Sequence, residues 1–372
     1  MVEAVGPGTS LADRKRRAGQ RLLLGFGGEA VDGDLRRLID AVVPAGFLVF
    51  GRNLVELDQS RDLCRDLASR VDPHDPALIA LDQEGGRVRA LKLGASWPAA
   101  RVVGAASAVD PTLPEQLGRA IGHELRAVGF NFDLAPVADV DSNPANPVIG
   151  DRSYGSDPKR VAAAVVGMVR GLQSAGVIAC AKHFPGHGDT AVDSHHELPV
   201  VERDAPELRR TELPPFAAAI GAGVGAVMAG HVVYPEWDET WPATLSPAVV
   251  PRVLRGELGF GGLVLSDDLK MKAVTPRWSP HELVLGATAA TVDLLLVGDV
   301  PELQLELFEA LVRAQEDDPG FEDATIRAVR RIEAARERFL IDPPPAPAGD
   351  VVGSIEHRML AALVEHLGED GR

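Results

Sequence analysis

Residues 177–196, VIACAKHFPGHGDTAVDSHH, join a short apolar run to a polar loop. The apolar run 177–180 is typical of a buried strand. Residues 182–196 hold four histidines, one lysine and two aspartates, interrupted by Pro185, Gly186 and Gly188. Burying so many polar groups without partners costs free energy, and Gly and Pro interrupt regular structure. The segment is therefore predicted to be a strand that runs into a loop carrying chemistry.

The same unit recurs along the chain. Apolar runs occur at residues 21–26, 46–50, 77–81, 129–135, 177–180, 225–229, 263–265 and 293–297, and amphipathic stretches separate most of them. Several runs are continuous rather than alternating, as in parallel strands covered on both faces. Eight strand–helix units predict an α/β fold, a (β/α)8 barrel of the TIM type forming a single domain. An open doubly wound sheet is the alternative, because strand count alone does not establish closure.

Polar residues follow nearly every run. They are Arg52, Asn53, Asp82, Gln83, Glu84, Asp139, Asp141, Lys182, His183, His231, Asp267, Asp268 and Asp299. In a barrel the active site is built at the carboxyl ends of the strands. We therefore predict that these side chains converge on one site rather than being scattered loop charges.

Composition excludes some partners. The 372 residues carry 54 acidic against 38 basic side chains, a formal charge of −16. This balance argues against a nucleic-acid or anionic-membrane partner. No stretch of the sequence resembles a signal peptide, and no apolar run approaches membrane-spanning length, so a cytoplasmic location is expected. Cys64 and Cys180 lie far apart and are predicted to be core residues rather than a disulfide.

The C-terminal region differs from the repeating part. Residues 302–340 are rich in Glu, Ala and Arg and are predicted to be helical, and residues 342–347 form a proline-rich linker. We assign residues 1–340 to the barrel domain. Residues 341–372 are assigned to the linker plus one short helix, because this tail is too short to form a domain.

Two motifs hold candidate catalytic groups. The apolar run 263–265 leads into Asp267 and Asp268, whose side chains point to opposite sides if the strand continues. Asp267 is predicted to act chemically, whereas Asp268 is predicted to cap a helix. In the histidine loop, Asp193 and His195 lie two residues apart, so the carboxylate can orient the imidazole as an acid and base near neutral pH.

The sequence KHFPGHGDTxxDSH, with SDDLxM at residues 266–271, resembles glycoside hydrolase family 3, and more narrowly its β-N-acetylglucosaminidase branch. Further motifs agree, namely GRN at residues 51–53, DQEGGRV at 82–88, NPVIGDRSY at 146–154 and PATLS at 242–246. The resemblance covers roughly residues 20–300 and implies a (β/α)8 barrel that needs no metal or other cofactor.

Residue roles follow from this resemblance. It implies that Asp267 is the nucleophile of a retaining mechanism and that His195, paired with Asp193, is the acid/base. It implies that the N-acetylglucosamine unit is held by Asp82, Arg152, Lys182 and His183. The branch removes terminal β-linked N-acetylglucosamine from muropeptides and related chains during cell-wall recycling, so a small carbohydrate is the expected substrate.

This sequence departs from the family pattern at two places. The family motif EGGRVxR ends in an arginine that contacts the sugar, whereas this chain has Ala90 there and carries Arg89 one position earlier. The glycine usual before the last barrel strand is also missing from residues 290–293.

Other activities stay open at this point. A phosphorylase of the same branch is the nearest alternative, because a histidine acid/base repels phosphate less than a carboxylate does. A β-glucosidase of the same family is another. A metal-dependent hydrolase would use His183, His187, Asp189 and His195, although Phe, Pro and Gly between the first two prevent a helix from presenting them together. A non-catalytic sugar-binding barrel would not need Asp193, His195 and Asp267 together.

Overall fold

A computed structural model describes residues 10–71, 75–190 and 197–370. Eight parallel strands form its centre. They are β1 Leu22–Gly25, β2 Gly46–Leu48, β3 Leu78–Leu81, β4 Phe132–Asp133, β5 Ile178–Phe184, β6 Ala226–Ala229, β7 Leu263–Ser266 and β8 Leu295–Val297. Each lies within or overlaps one of the eight apolar runs, so the predicted strand set is confirmed.

The strands follow one another around a nearly closed barrel. The pairing runs from β7 through β6, β5, β4, β3, β2 and β1 to β8, all parallel. An isolated parallel bridge between Leu265 and Leu294 joins the two ends, supported by a hydrogen bond from the Ser266 amide to the Leu294 carbonyl (2.9 Å). The (β/α)8 prediction is confirmed, and the open doubly wound alternative is wrong.

Helices surround the barrel. They are α1 Leu11–Gly19, α2 Gly33–Val42, α3 Leu57–Ser69, α4 Ala100–Ala106, α5 Leu113–Val128, α6 Pro158–Ser174, α7 Ala205–Thr211, α8 Leu213–Gly221, α9 Pro280–Ala289, α10 Pro301–Asp317, α11 Pro319–Phe339 and α12 Ile355–Asp370. A π-helical segment, Val249–Glu257, covers the barrel between β6 and β7. Two short hairpins extend from the barrel. One pairs Gln83–Gly85 with Val88–Arg89, and the other pairs Val233–Tyr234 with Asp238–Pro242. Single 3-10 turns lie at Gly51–Asn53, Gly150–Arg152 and Gly349–Val351.

The strands lack alternation because both of their faces are buried. On β5, Ile178 and Cys180 belong to the inner cluster of the barrel, whereas Ala179 and Ala181 belong to the layer between sheet and helices. Side chains two residues apart share a face of a strand. Lys182 therefore continues the inward row and emerges at the carboxyl end of the barrel, where a charge can meet a ligand.

The C-terminal tail returns to the barrel wall. Residues 341–348 lead past the 3-10 turn Gly349–Val351 to α12, which packs mainly against α4. The division into a domain of residues 1–340 and an appendage of residues 341–372 remains a prediction. Cys64 and Cys180 are both buried free thiols. No helix among the described residues is both long and apolar enough to cross a lipid bilayer.

Candidate active site

A cavity of about 460 Å³ opens at the carboxyl ends of the barrel strands. Its lining includes five predicted site residues, namely Asp82, Arg152, Lys182, His183 and Asp267. They come from segments up to 185 residues apart (267 − 82), which the barrel brings to one rim. The other two predicted residues, Asp193 and His195, lie outside the described residues.

A buried ion network forms one wall of the cavity. Lys182 Nζ donates to Asp82 Oδ1 (2.6 Å) and lies 2.7 Å from Glu84 Oε1. Arg152 donates from Nε and Nη2 to the two oxygens of Glu84 (2.8 and 2.7 Å). The carboxylate of Glu84 therefore holds both cations side by side. The sequence alone indicates that Glu84 follows a strand but not what it binds, although its place in the motif DQEGGRV is a signal for a role at the site.

The network keeps its members charged. Burial alone would raise the pKa of Glu84, but Lys182 and Arg152 outweigh it and hold that pKa far below its usual range. Burial alone would lower the pKa of Lys182, but Asp82 and Glu84 raise it above its usual value. Because the cations are fixed and permanently charged, this wall is suited to donate hydrogen bonds to the hydroxyl or carbonyl oxygens of a ligand.

Asp267 stands just beyond β7. Its backbone amide donates to the Ala229 carbonyl (3.1 Å), which continues the ladder between β7 and β6. Burial alone would raise its pKa, but His231, His183 and the backbone amide of Asp268 lower that pKa to about 2. The carboxylate is ionised near neutral pH, as a nucleophile requires.

Asp268 does not have the predicted role. No helix begins after it, because residues 269–277 form turns, so the helix-cap prediction is wrong. Its Oδ1 instead accepts the backbone amides of Lys270 (3.1 Å) and Gly298 (2.9 Å). The carboxylate thus ties the turn after β7 to the end of β8. The helix-cap prediction failed because an aspartate side chain accepts whichever backbone amides lie near it. Here one of the two amides belongs to Gly298, which is 30 residues away in the sequence.

A second buried carboxylate organises the histidines. Asp139, which follows β4, contacts the Nδ1 atom of His183 (2.7 Å) through Oδ2. Its Oδ1 accepts the backbone amides of His183 (3.0 Å) and His187 (2.7 Å). Sequence reasoning placed Asp139 at a strand end but gave it no partner, because those partners lie on β5 and in the loop beyond it.

The described part of the histidine loop is held by its own contacts. Asp189 forms a bidentate ion pair with Arg203 (2.8 and 2.6 Å). Nδ1 of His187 lies 2.8 Å from the Thr190 hydroxyl. His183 is engaged by Asp139 as described. Within residues 10–71, 75–190 and 197–370, no three His, Cys, Asp or Glu side chains converge in a way that could hold a metal ion.

The shifted arginine of the EGGRV motif faces away from the cavity. Arg89 donates to the Gly86 carbonyl (3.0 Å) and to the Ser96 hydroxyl (2.8 Å), and it does not line the cavity. Ala90 occupies the family arginine position and donates its amide to the Asp82 carbonyl (2.9 Å). Arg89 therefore does not replace the family arginine at the site.

Known proteins resemble this chain over most of its length. The family model described as the glycosyl hydrolase family 3 N terminal domain matches residues 22–332. A beta-hexosaminidase from Thiobacillus denitrificans is 39% identical over 290 residues, which cover 77% of this chain and 79% of that protein. A solved family 3 beta-N-acetylglucosaminidase from Paenibacillus sp. strain FPU-7 matches with a TM-score of 0.90 at 39% identity, covering 97% of this chain and 69% of that chain.

A more distant solved structure has a different activity. The beta-glucoside phosphorylase BglX bound to 2FGlc matches with a TM-score of 0.81 at 26% identity, covering 94% of this chain and 64% of that one. The barrel, the cavity and the extent of these matches together show that the chain is a glycoside hydrolase and belongs to glycosyl hydrolase family 3.

Proposed function

We propose that this chain is a retaining β-N-acetylglucosaminidase that removes terminal β-linked N-acetylglucosamine from muropeptides or short chains. The observation that carries the proposal is the ionised carboxylate of Asp267 in the same cavity as Lys182, Arg152 and Asp82. A carboxylate nucleophile beside fixed hydrogen-bond donors is the arrangement that a retaining glycosidase needs. The named activities of the relatives from Thiobacillus and Paenibacillus support the sugar specificity.

The mechanism has two steps. In the first, an oxygen of Asp267 bonds to the anomeric carbon while the bond to the leaving oxygen breaks and His195 protonates that oxygen. In the second, His195 takes a proton from water, the water oxygen bonds to the anomeric carbon, and Asp267 is released. Asp193 orients the imidazole in both steps. Lys182, Arg152, Asp82 and His183 hold the sugar through its hydroxyl and acetamido groups.

The sugar specificity can be tested with two chromogenic substrates. We expect nitrophenyl β-N-acetylglucosaminide to be cleaved with a kcat/KM at least about 100-fold above that of the β-glucoside, since a site built to bind a polar group rejects a substrate that lacks it. Equal rates would contradict the N-acetylglucosaminide assignment and favour a broad β-glucosidase.

A phosphorylase is the second candidate, which the resemblance to the beta-glucoside phosphorylase favours. The same assay in phosphate and in phosphate-free buffer separates the two. A hydrolase releases free sugar at the same rate in both, whereas a phosphorylase forms the sugar 1-phosphate and slows without phosphate. Rates that are unchanged after prolonged treatment of the enzyme with a metal chelator would argue against a metal-dependent hydrolase.

The acid role of His195 has its own test. In His195→Ala, kcat/KM should fall about 100-fold or more for substrates with poor leaving groups, which need protonation. For dinitrophenyl glycosides, whose leaving group needs little protonation, kcat/KM should change far less. Equal slowing across the series would contradict an acid role for His195.

We further propose that the protein acts in the cytoplasm on fragments recovered from the cell wall. Support comes from the family resemblance, and two buried free thiols are compatible with a reducing compartment. Fractionation of the native cell tests it, and recovery of the activity in the medium would contradict it.

A further inference from the structure

The Asp139–His183 pair lies at the back of the sugar cavity. Asp139 is fully buried, and His183 is 7% exposed and lines the cavity. Asp139 has three contacts among the described residues: it accepts the backbone amides of His183 and His187, and its Oδ2 lies 2.7 Å from Nδ1 of the His183 ring. An ionised carboxylate has no hydrogen to donate. The hydrogen between Asp139 and His183 must therefore sit on Nδ1 of the ring.

The other ring nitrogen is then defined by elimination. A neutral imidazole carries one hydrogen, so a hydrogen on Nδ1 leaves Nε2 as an acceptor. Within the described ranges 10–71, 75–190 and 197–370, the only hydrogen bond of the His183 ring is the one from Nδ1 to Asp139. Nε2 is not one of the fully buried side-chain atoms without a hydrogen-bond partner, so this nitrogen is accessible rather than enclosed by protein. It is therefore available on the cavity side of the ring.

We propose that Asp139 is a positioning residue that fixes His183 in the Nδ1–H tautomer, so that Nε2 accepts a hydrogen bond from a sugar hydroxyl. The side chains of Lys182 and Arg152 can only donate hydrogen bonds, so neither can accept a hydroxyl hydrogen. His183, next to Lys182 in the sequence, adds a second acceptor to the one that the carboxylate of Asp82 offers in the same cavity. The identity of the ligand rests on the proposed function, whereas the tautomer rests on Asp139 alone.

The variant Asp139→Asn reverses the hydrogen-bond pattern without changing the shape of the side chain. The amide oxygen can still accept from the two backbone amides, while the NH₂ group faces Nδ1 and donates to it. The hydrogen of the ring must then move to Nε2, which becomes a donor. Asp141→Asn is the matched control, because it makes the same change two residues away, at a carboxylate that pairs with Arg101 and, contrary to the sequence-based expectation for it, does not line the cavity.

Nitrogen NMR of histidine-labelled protein at pH 8 reads the tautomer directly, with His183→Gln used to assign the signals. We expect Nδ1–H in the wild type and in Asp141→Asn, and Nε2–H in Asp139→Asn. The wild-type ring carrying its hydrogen on Nε2, or on both nitrogens, would overturn the proposal. This readout does not depend on any enzymatic activity, so failure of the proposed function and failure of this inference are distinguishable.

Kinetics test the acceptor role. We expect Asp139→Asn to lower kcat/KM for the N-acetylglucosaminide about 10- to 100-fold, because Nε2–H of His183 would then face the hydroxyl hydrogen that it should accept. Asp141→Asn should leave kcat/KM unchanged. In a His183→Gln background the Asp139→Asn change should cost little more. Additive losses, or a reversed tautomer with unchanged kcat/KM, would overturn the sugar-acceptor role.

Discussion

At the scale of the residue, two adjacent carboxylates differ because their surroundings differ. Asp267 faces the imidazoles of His231 and His183, and its pKa is lowered to about 2. Burial raises the pKa of Asp268 to about 6, although the backbone amides of Gly298 and Lys270 oppose that shift. A strand places neighbouring side chains in different environments, and the environment rather than the residue type assigns the role.

The nucleophile assignment predicts the effect of removing one carboxylate. Asp267→Ala should lower kcat by about 10⁴-fold or more, the loss typical when a covalent nucleophile is removed. The circular dichroism spectrum should be unchanged, because the backbone amide of Asp267 keeps its partner on β6. Activity within tenfold of the wild type would contradict the assignment.

At the scale of the element, the connection from α9 to β8 uses an unusual residue. The family glycine is missing there, and Thr291 adopts a left-handed conformation with φ 56°. Its hydroxyl and carbonyl oxygens each accept a hydrogen bond from Arg255 (3.0 Å), which offsets the strain. A β-branched residue in this conformation is uncommon and costs free energy.

A pair of substitutions separates the strain from the hydrogen bond. Both Thr291→Gly and Thr291→Ala lose the hydroxyl, but only glycine adopts a positive φ without strain. We expect the glycine variant to have a free energy of unfolding about 1 kcal/mol above that of the alanine variant, as measured by urea denaturation. An alanine variant of equal or higher stability would show that the turn is not strained.

The junction of α7 and α8 holds a buried acid. Glu212 accepts a hydrogen bond from the Ser142 hydroxyl (2.9 Å), and burial raises its pKa to about 8. A carboxyl group whose folded pKa exceeds its unfolded value of about 4.5 stabilises the fold at low pH. That stability is lost as the pH rises from about 4.5 through 8.

Glu212→Gln should therefore change the pH dependence of stability. At pH 9 the variant should exceed the wild type in free energy of unfolding by about 3 kcal/mol, whereas at pH 4.5 the two should be close. Denaturation at both pH values measures this, with the exposed Glu309→Gln as control. Parallel curves for wild type and Glu212→Gln would contradict a raised pKa.

At the scale of the whole molecule, one carboxylate fastens the C-terminal tail to the barrel wall. Glu124 on α5 accepts the Gly353 amide (2.8 Å) and contacts His357 on α12 (3.0 Å). It also accepts the indole N–H of Trp97 (3.1 Å) in the segment that precedes α4. The tail thereby packs against the segment that continues from the Glu84 hairpin.

Removing this carboxylate should loosen the tail. Glu124→Ala removes the acceptor of the Ala95 and Gly353 amides and of the Trp97 indole, together with the contact to His357, and should lower the free energy of unfolding by about 3 kcal/mol. The emission of Trp97 should shift to longer wavelength. The control Glu115→Ala removes a carboxylate from the same helix outside this network and should have little effect. Equal stabilities of the two variants would show that the tail is not held through Glu124.

The eight strands and the position of the site can be predicted from the sequence because both depend on patterns of neighbouring residues. A strand buried on both faces must be continuously apolar, as residues 178–181 are, and a polar residue that follows it must leave the core. Asp82, Arg152, Lys182, His183 and Asp267 were therefore identifiable by their position after the strands or by their motifs. Their convergence on one cavity follows from the parallel arrangement.

Closure of the barrel and the pairing of the charges were decided only by the tertiary structure. The contact of Leu265 with Leu294 closes the barrel, and Glu84 meets Arg152 across 68 residues of sequence. Asp139 reaches His183 across 44 residues, and Asp268 binds the end of β8 instead of capping a helix. Hydrogen bonds and ion pairs act over a few ångströms, and distances across a barrel depend on strand register and closure, which no local pattern of residues encodes.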